Sequence, residues 1–338
     1  MSLWVLANFG FASHSQAGER VAPGPDAPTL ADAIRLAAPG DRLLIKPGVY
    51  RERLIISKPL TLDVTPGARS KVVLDGGGKG RVVDIRAADV TLRGFTLQNS
   101  GDDVEQVDAC VYVHNDAHRA HLLDNTMSQC LFGIWVNGAN DSVIVRNTIR
   151  GLLKPIFSDR GNGINLWRVR HTRVERNVIS DVRDGIYLSV STDSRVADNL
   201  LHHLRFGIHY MYNDRNQIID NIACHNLVGL AMMFSKQLDI SGNLAVSNRD
   251  HGILFRTIVD SRVRQNRAEN NGKGFFLNDA SFNEITQNDV RDNRIGVHIT
   301  AGSEGNRVYR NNFVDNAVQV RFSQRESIHW GNSEQGNF

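Results

Sequence analysis

Hydrophobic positions in this chain recur at an interval that is longer than one helix or one strand. Short runs of alternating apolar and polar residues repeat every 22 or 23 residues, with one interval of 30. Each repeat carries a glycine and, 14 or 15 residues later, an asparagine. The glycines are Gly133, Gly163, Gly185, Gly207, Gly229, Gly252, Gly274 and Gly296, and the asparagines are Asn147, Asn177, Asn199, Asn221, Asn243, Asn266, Asn288 and Asn311. A fixed period of this length predicts a solenoid.

The residues around these two markers favour strands over helices. The position three residues before each asparagine is β-branched throughout: Ile144, Val174, Val196, Ile218, Ile240, Val263, Ile285 and Val308. Apolar residues also stand one and three places after each glycine, as in a strand with one buried face. A coil of about 22 residues suits three short strands, each paired in parallel with its equivalent one coil on. We therefore predict an all-β parallel β-helix with three strands per coil, and stacked asparagines along one corner.

The N-terminal part is predicted to cap this solenoid. Thr29 and Asp32 resemble a capping box at the start of a short helix that runs to about Ala38. Strand-like runs follow it, at Leu43–Lys46, Leu54–Ile56, Leu60–Val64, Lys71–Leu74, Val82–Ile85 and Val90–Leu97. An open end of a β-helix is an edge that invites aggregation, so a cap is expected there.

Two boundaries complete the predicted organisation. Residues 1–20 are expected to be the remnant of a secretory leader, because an apolar run is followed by small residues near a cleavage-like site. Residues 21–338 are expected to form one β-helix domain whose C-terminal cap is truncated. Insertions at Ser100–Asp108 and Leu152–Arg160 interrupt the period, and such loops are either tolerated surface segments or places where ligands are met.

Composition narrows the class of partner. The 338 residues include 39 basic and 36 acidic side chains, a net charge of +3 that gives no strong basic field, so nucleic acid is not expected as a partner. The cysteines Cys110, Cys130 and Cys224 allow either one disulfide with a free thiol or three reduced thiols.

The positions two and four residues after each glycine point outward and form two columns with an unusual composition. The first column reads Trp135, Asn165, Tyr187, His209, Ala231, Leu254, Phe276 and His298, and the second reads Asn137, Trp167, Ser189, Met211, Met233, Arg256, Asn278 and Thr300. His209 and Met211 share one strand face, and Met233 follows Met211 by one coil. Imidazole and thioether together favour Cu(I), so these three residues form a candidate metal site; the alternative is an adaptable protein contact surface.

Acid–base catalysis finds less support in the sequence. The two outward columns from Trp135 onward contain no carboxylate, whereas sugar hydrolases need a pair of them. Arg249-Asp250-His251 is the one tight acid–histidine cluster along the regular coils, and the preferred explanation is a structural corner in which the Asp bonds turn backbone. A polysaccharide epimerase or lyase, or a carbohydrate-binding β-helix, remains the alternative because aromatic side chains on this face suit sugar rings.

Three runs of sequence resemble the NosD family of nitrous oxide reductase accessory proteins. They are GIHYMYND from Gly207, RDHGILF from Arg249 and GVHITAGSEGN from Gly296. The opening around Pro39 and Pro47 is shared more widely, with β-helices of the carbohydrate-binding and sugar-hydrolase type. The resemblance covers about residues 28–338 and departs from the family at the incomplete leader and at Phe338, where relatives continue.

The resemblance implies a periplasmic, right-handed β-helix that is not an enzyme. Members of the family dock on an ABC transporter made of an ATPase and a membrane subunit, with a copper chaperone lipoprotein as a further partner. They act in the maturation of the copper site of nitrous oxide reductase during denitrification. We therefore expect transiently bound Cu(I) as the cargo and no catalytic residues, with His209, Met211 and Met233 as the candidate ligands.

Overall fold

The structure is a computed structural model that describes residues 18–69, 71–152, 156–323, 328–331 and 335–338. The first strands and the helix are β1 (Glu19–Ala22), α1 (Leu30–Leu36), β2 (Arg42–Ile45), β3 (Gly48–Tyr50), β4 (Leu54–Ile56), β5 (Thr61–Val64), β6 (Val72–Asp75), β7 (Val83–Ile85), β8 (Thr91–Arg93), β9 (Thr96–Gln98), β10 (Ala109–Val113), β11 (His121–Leu123) and β12 (Thr126–Cys130). The middle strands are β13 (Phe132–Asn137), β14 (Val143–Val145), β15 (Thr148–Gly151), β16 (Ile164–Trp167), β17 (Arg173–Glu175), β18 (Val178–Ser180), β19 (Asp184–Ser189), β20 (Arg195–Ala197), β21 (Leu200–His202), β22 (Phe206–Met211), β23 (Gln217–Ile219), β24 (Ile222–Cys224) and β25 (Val228–Lys236), with a 3-10 turn at Phe157–Asp159. The last strands are β26 (Asp239–Ser241), β27 (Leu244–Val246), β28 (His251–Val259), β29 (Arg262–Arg264), β30 (Arg267–Glu269), β31 (Lys273–Asn278), β32 (Glu284–Thr286), β33 (Asp289–Arg291), β34 (Ile295–Thr300), β35 (Arg307–Tyr309), β36 (Asn312–Val314) and β37 (Val318–Ser323).

These strands form three parallel sheets that run the length of the solenoid. Sheet A has thirteen strands, β1, β2 and then every third strand from β5 to β35. Sheet B has twelve, every third strand from β4 to β37, and sheet C has twelve, every third strand from β3 to β36. Each coil therefore contributes one strand to each sheet, which confirms the predicted parallel β-solenoid with three strands per coil.

The core is a continuous column of aliphatic side chains between the sheets. On sheet B the inward positions Ile186, Ile208, Leu230 and Ile253 are fully buried, one above the next. Burying a side chain of this size contributes about 1.5–3 kcal/mol relative to leaving it in water. The alternate positions of the same strands must then face outward, and this is where His209 and the methionines lie.

A ladder of asparagine side chains fixes one corner of every coil. From Asn125 to Asn311, each side-chain amide donates to the Oδ1 of the asparagine one coil on, as from Asn199 to Asn221 at 2.9 Å. The described residues at the end of the chain extend the ladder, since Asn311 donates to Asn337 at 3.0 Å. A second ladder runs from Asn248 through Asn271 and Asn293 to Asn316 at the corner between sheets C and B. The first ladder was predicted from the repeat, and the second was not.

The glycine column has a steric cause. A Cβ added to Gly185 would lie 2.5 Å from the carbonyl oxygen of Gly207 on the next coil, closer than two such atoms can approach. The same clash occurs at Gly207 against Gly229. Only glycine therefore permits the coils to stack at this corner, which fixes the register of the outward residues that follow.

The N-terminal region agrees with the predicted helix. Thr29 caps α1, and its Oγ1 accepts a hydrogen bond from the Asp32 backbone amide at 3.0 Å. The strand predictions are confirmed with shifts of a residue or so, except that the run Val90–Leu97 is two strands, β8 and β9, separated at Gly94. Strand β3 was not predicted. Residues 1–17 of the expected leader lie outside the described residues, and Glu19 already pairs with β2.

Two further features bear on the sequence predictions. Cys110 and Cys130 form a disulfide, and Cys224 is free and partly exposed, so the first of the two alternatives for the cysteines holds. Within the described residues, no helix has the length and apolar content needed to cross a membrane.

Candidate functional site

The three predicted ligands lie on the outward face of sheet B in two consecutive coils. His209 and Met211 belong to β22, and Met233 belongs to β25. Met211 and Met233 are direct partners in the parallel register, so their backbones are about 4.8 Å apart. His209 is two residues from Met211 on the same face, and its partner on β25 is the small Ala231. The coil period thus places the residues as predicted, although only the methionines are cross-strand partners.

A buried carboxylate orients the His209 ring. Asp184 of β19, on the preceding coil, is fully buried, and its Oδ2 lies 2.9 Å from Nδ1 of His209. Arg205 donates to both oxygens of the same carboxylate, at 2.8 and 2.6 Å. Burial alone would raise the pKa of Asp184, but the hydrogen bonds from His209 and Arg205 outweigh it and the pKa is lowered.

The ionised carboxylate determines which ring nitrogen of His209 is available. A carboxylate can only accept, so Nδ1 carries the proton, and in the neutral imidazole Nε2 keeps its lone pair. The ring is held on both sides by edge-to-face contacts, with Tyr187 at 4.9 Å and Phe206 at 4.8 Å between centroids. Histidines that bind metals in proteins commonly have this arrangement, with the second nitrogen donating to a carboxylate.

The methionines border a stacked aromatic pair. Tyr212 follows Met211 and Phe234 follows Met233, and the two rings stack with centroids 5.1 Å apart. Tyr212 is 58% exposed, although tyrosine is usually buried for much of its surface. Tyr212 and Phe234 also line an open groove of about 470 Å³. The partly exposed methionines therefore lie beside an apolar surface that a partner protein could cover.

The donor set of this face is nitrogen and thioether sulfur. In the described part of the chain, no group of three or more His, Cys, Asp or Glu side chains is arranged to hold a metal ion. A site at His209 therefore depends on Met211 and Met233, which favour Cu(I) over the harder divalent ions.

A second acid–histidine pair lies near the N-terminal end of the same sheet. The outward column of Trp135 continues back through Tyr112 to Asp84, so the expectation of a column without carboxylates holds only from Trp135 onward. Asp84 Oδ1 lies 2.5 Å from Nε2 of His114, and its Oδ2 accepts hydrogen bonds from Arg86.

This pair borders a cleft that one of the insertions helps to form. The cleft has a volume of about 710 Å³, and Asp103 and Asp108 of the Ser100–Asp108 insertion line it together with Asp84. Arg81 stacks on the ring of Tyr112 at 3.5 Å. The insertion therefore contributes two carboxylates to a polar cleft.

The cluster singled out in the sequence has a different arrangement. In Arg249-Asp250-His251, Asp250 pairs with Arg249 at 3.4 Å, whereas His251 lies 3.2 Å from the ammonium group of Lys273. His251 Nδ1 is buried and has no hydrogen-bond partner among the described residues. The prediction that this is the tight acid–histidine cluster of the coils was wrong, because the true pairs join residues on different coils.

Asp184 was not anticipated as part of the site. It precedes Gly185 by one residue, while His209 follows Gly207 by two, so 25 residues separate them. The coil period relates equivalent positions, and this contact crosses from the corner of one coil to the face of the next. A sequence signal for this pair does exist. It is an acidic residue directly before one of the repeat glycines, followed on the next coil by a histidine at an outward position.

Comparison with known proteins places these coils in a family. A family model described as "Periplasmic copper-binding protein (NosD)" matches residues 151–338, and one described as "Protein of unknown function (DUF1565)" matches residues 70–194. The chain is 40% identical over 322 residues to a probable ABC transporter binding protein NosD of Pseudomonas aeruginosa, covering 91% of this chain and 74% of that protein. A protein of the same description from Stutzerimonas stutzeri is 38% identical over 328 residues, covering 92% and 74%.

Solved structures share the fold at low identity. The A-module of the mannuronan C-5 epimerase AlgE6 of Azotobacter vinelandii superposes with a TM-score of 0.70 at 12% identity, covering 90% of this chain and 94% of that module. The periplasmic alginate epimerase AlgG has a TM-score of 0.55 at 16% identity, covering 89% and 82%. At this identity the likenesses show the shared β-helix fold alone.

Proposed function

This chain belongs to the NosD family, and on that basis we propose that it is a periplasmic accessory protein of nitrous oxide reductase maturation that delivers or inserts copper. The observation that carries the proposal is the pairing of Met211 and Met233 beside His209, within the segment that matches the copper-binding family model. Cu(I) is the cargo of this site, held transiently, and the protein itself is not an enzyme.

The proposed residues have distinct roles. His209 supplies Nε2, because Asp184 fixes the proton on Nδ1 and Tyr187 and Phe206 restrict the ring. Met211 and Met233 supply soft sulfur ligands on flexible side chains, which suits a cargo that has to leave again. Their partial exposure leaves the cargo accessible to a second protein.

The partners follow from the family and from the apolar surface. The relatives are named as ABC transporter binding proteins, and we propose that this chain likewise docks on the ATPase-driven membrane subunits of such a transporter. A copper chaperone lipoprotein would load the site, and the reductase would receive the metal. The stacked pair Tyr212 and Phe234 beside the methionines is the surface against which one of these partners would pack.

A competition experiment tests the copper site. Cu(I) is titrated anaerobically against a chromogenic chelator with the wild-type chain and with the double variant Met211→Leu, Met233→Leu. Loss of two thioether ligands is expected to weaken binding at this site by more than about tenfold. Met232→Leu is the matched control, because Met232 lies in the same strand but is fully buried. Equal binding by wild type and double variant would overturn the site.

A second function is favoured by one specific observation, the cleft at Asp84 and His114. A carboxylate, an imidazole and the Tyr112 phenol lie together beside Arg81, groups that could bind and deprotonate an acidic sugar. This alternative is a uronate-polymer epimerase or lyase, or a carbohydrate-binding β-helix. Incubation of the wild-type chain with a panel of uronate polymers tests it. Product formation that is abolished in His114→Ala and retained in His209→Ala would establish the alternative over copper delivery.

A further inference from the structure

The last four strands of sheet B differ in charge from their neighbours in the other two sheets. β28, β31, β34 and β37 contain Arg256, Lys273 and Arg321 but neither aspartate nor glutamate. In the same coils, sheets A and C mix both signs, and each carboxylate of their strands pairs with an arginine. These paired carboxylates are Asp239, Glu269, Glu284 and Asp289. Sheet B is therefore the one side of these coils on which the strands carry positive charge alone.

The cations on this side of the solenoid lack charge partners. Arg294, directly before β34, joins the three strand residues, and together the four form the cationic face. Among the described residues, none of these four side chains forms an ion pair, and Asp250, which precedes β28, pairs with Arg249 at 3.4 Å. The three arginines of the face are exposed and Lys273 is partly exposed. The positive charge is therefore open to a ligand.

A row of rings holds Lys273 in place. Its Nζ lies 4.3 Å from the centroid of the Phe276 ring and donates to Nε2 of His251 at 3.2 Å. Phe276 packs between His251, at 5.1 Å, and His298, at 5.0 Å between centroids. Burial lowers the pKa of both histidines, that of His251 to about 4, so both rings are neutral near pH 7. The charge of the face thus comes from lysine and arginine.

The lysine of this face is held in an unfavourable electrostatic environment. Burial, and then the charge of Arg294, lower the pKa of Lys273, and Arg321 acts in the same direction. Desolvation and neighbouring positive charge both destabilise the charged ammonium group. A carboxylate brought to the face by a ligand would relieve this repulsion. The face is therefore complementary to negative charge.

The cationic face adjoins the apolar surface beside the methionines. Arg256 is the register partner of Met233, and its guanidinium lies 5.7 Å from the centroid of the Phe234 ring, which stacks on Tyr212. Three register steps separate Arg256 from Arg321, a span of about 14 Å. Aromatic side chains with arginine beside them are typical of protein interfaces. This continuity favours a protein as the occupant.

We propose that the cationic face is the docking surface for a protein that presents clustered carboxylates, which it aligns over the methionines. That the partner exchanges copper rests on the proposed function, whereas recognition of an acidic surface does not. Complementary charge accelerates association and selects among partners. Exposed charges are screened by salt, so the contact is reversible and weakens as the ionic strength rises.

Fluorescence anisotropy with a labelled octaglutamate peptide tests the face on the full chain. At about 20 mM NaCl, Arg256→Gln with Arg321→Gln is expected to weaken peptide binding about fivefold, because two exposed charge pairs are lost. Lys46→Gln with Lys71→Gln is the matched control, since it removes the same charge from exposed side chains at the other end of the solenoid. Equal affinities for the two double variants, or no binding by the wild type, would overturn the proposal.

Cross-linking gives an independent readout of where the peptide binds. A carbodiimide joins a glutamate carboxyl group of the peptide to a lysine amine, and mass spectrometry identifies the lysine. Lys273 is expected to be the main point of attachment, because it lies in the face and its lowered pKa favours attack by the neutral amine. Attachment at Lys46 and Lys71 without Lys273 would contradict the docking surface.

Other occupants and the copper site are separated by further measurements. Binding to phosphatidylglycerol vesicles but not to the peptide, lost in the arginine double variant, would assign the face to a membrane and overturn the proposal. A dimer in sedimentation that this variant dissociates would assign the face to a second copy of the chain. Normal Cu(I) binding with equal peptide affinities for the two double variants would refute the face and leave the proposed function standing. The expected peptide binding by a wild-type chain that binds no Cu(I) would do the reverse.

Discussion

Sheet B carries two acid–histidine pairs, and they differ in what surrounds them. Asp84 and His114 lie near the N-terminal end, and Asp184 and His209 lie four coils further along the same sheet. The His114 side chain is 31% exposed and its partner Asp84 lines an open polar cleft, whereas the side chain of His209 is 11% exposed and Asp184 is completely buried. The same two residue types therefore occur once beside water and once beneath aromatic rings.

This difference indicates two kinds of chemistry on one scaffold. A histidine beside a solvent-exposed cleft and near arginines can exchange protons and form hydrogen bonds with a polar ligand. A histidine whose Nδ1 is tied to a buried carboxylate, with thioethers beside it, presents a single fixed lone pair to a soft ion. The parallel solenoid makes this possible because a change of side chain at one coil affects its neighbouring coils and not distant ones.

The largest expected effect concerns the carboxylates. Asp184→Asn leaves Arg205 and His209 without their shared charge partner and is expected to lower the free energy of unfolding by about 3 kcal/mol. Asp84 is also largely buried, but its partners Arg86 and His114 are 49% and 31% exposed, so Asp84→Asn should cost less, about 1 kcal/mol. Urea denaturation followed by circular dichroism measures both. Equal losses for the two variants would remove the distinction between the buried and the open pair.

The next effect is on copper. His209→Ala is expected to raise the dissociation constant for Cu(I) at its site by more than about tenfold, while His114→Ala should leave Cu(I) binding unchanged. Chelator competition measures the constants, and the two variants serve as each other's controls. A comparable loss in His114→Ala would mean that the open pair also binds the metal.

Sequence reasoning recovered the features that repeat with the coil. The strand positions of the regular coils, the first asparagine ladder and the register of Met211 with Met233 follow from one period, and the cap at Thr29 follows from its capping box. The acid–histidine pairs did not follow, because each joins a residue on one coil to a non-equivalent position on another. Asp184 reaches the outward face because strand β19 begins one residue before Gly185. The period alone does not predict where a strand begins.

A smaller effect is the pH dependence of the buried pair. The pKa of Asp184 is lowered in the folded chain, so below about pH 4 the unfolded chain binds a proton that the folded chain does not. The stabilisation from this carboxylate is complete above that pH and is lost as the pH falls through the folded-state pKa. The stability gap between wild type and Asp184→Asn should therefore narrow between pH 5 and pH 3, while the other carboxylates cancel in the difference. A constant gap in urea melts across this range would contradict the assignment.

The smallest effect concerns a histidine without a carboxylate partner. Burial, and then the charge of Lys273, lower the pKa of His251 to about 4. Between about pH 6.5 and pH 4 the unfolded chain takes up a proton at this residue and the folded chain does not, so stability falls on acidification. After allowance for solvent screening we expect about 1 kcal/mol. Melts of wild type and His251→Gln at pH 7 and pH 4.5 measure it, and no change in their difference would contradict it.

Methyl resonances of the methionines test the proposed copper-binding face most directly. In the chain labelled with ¹³C-methyl methionine, Ag(I) is added as the redox-inert analogue of Cu(I) and each methyl signal is followed by NMR. The methyl groups of Met211 and Met233 are expected to shift together at the first additions, while those of the buried Met127 and Met232 remain in place. Signals of Met211 and Met233 that do not move, or that move no more than those of the two buried methionines, would contradict a soft-metal site on this face.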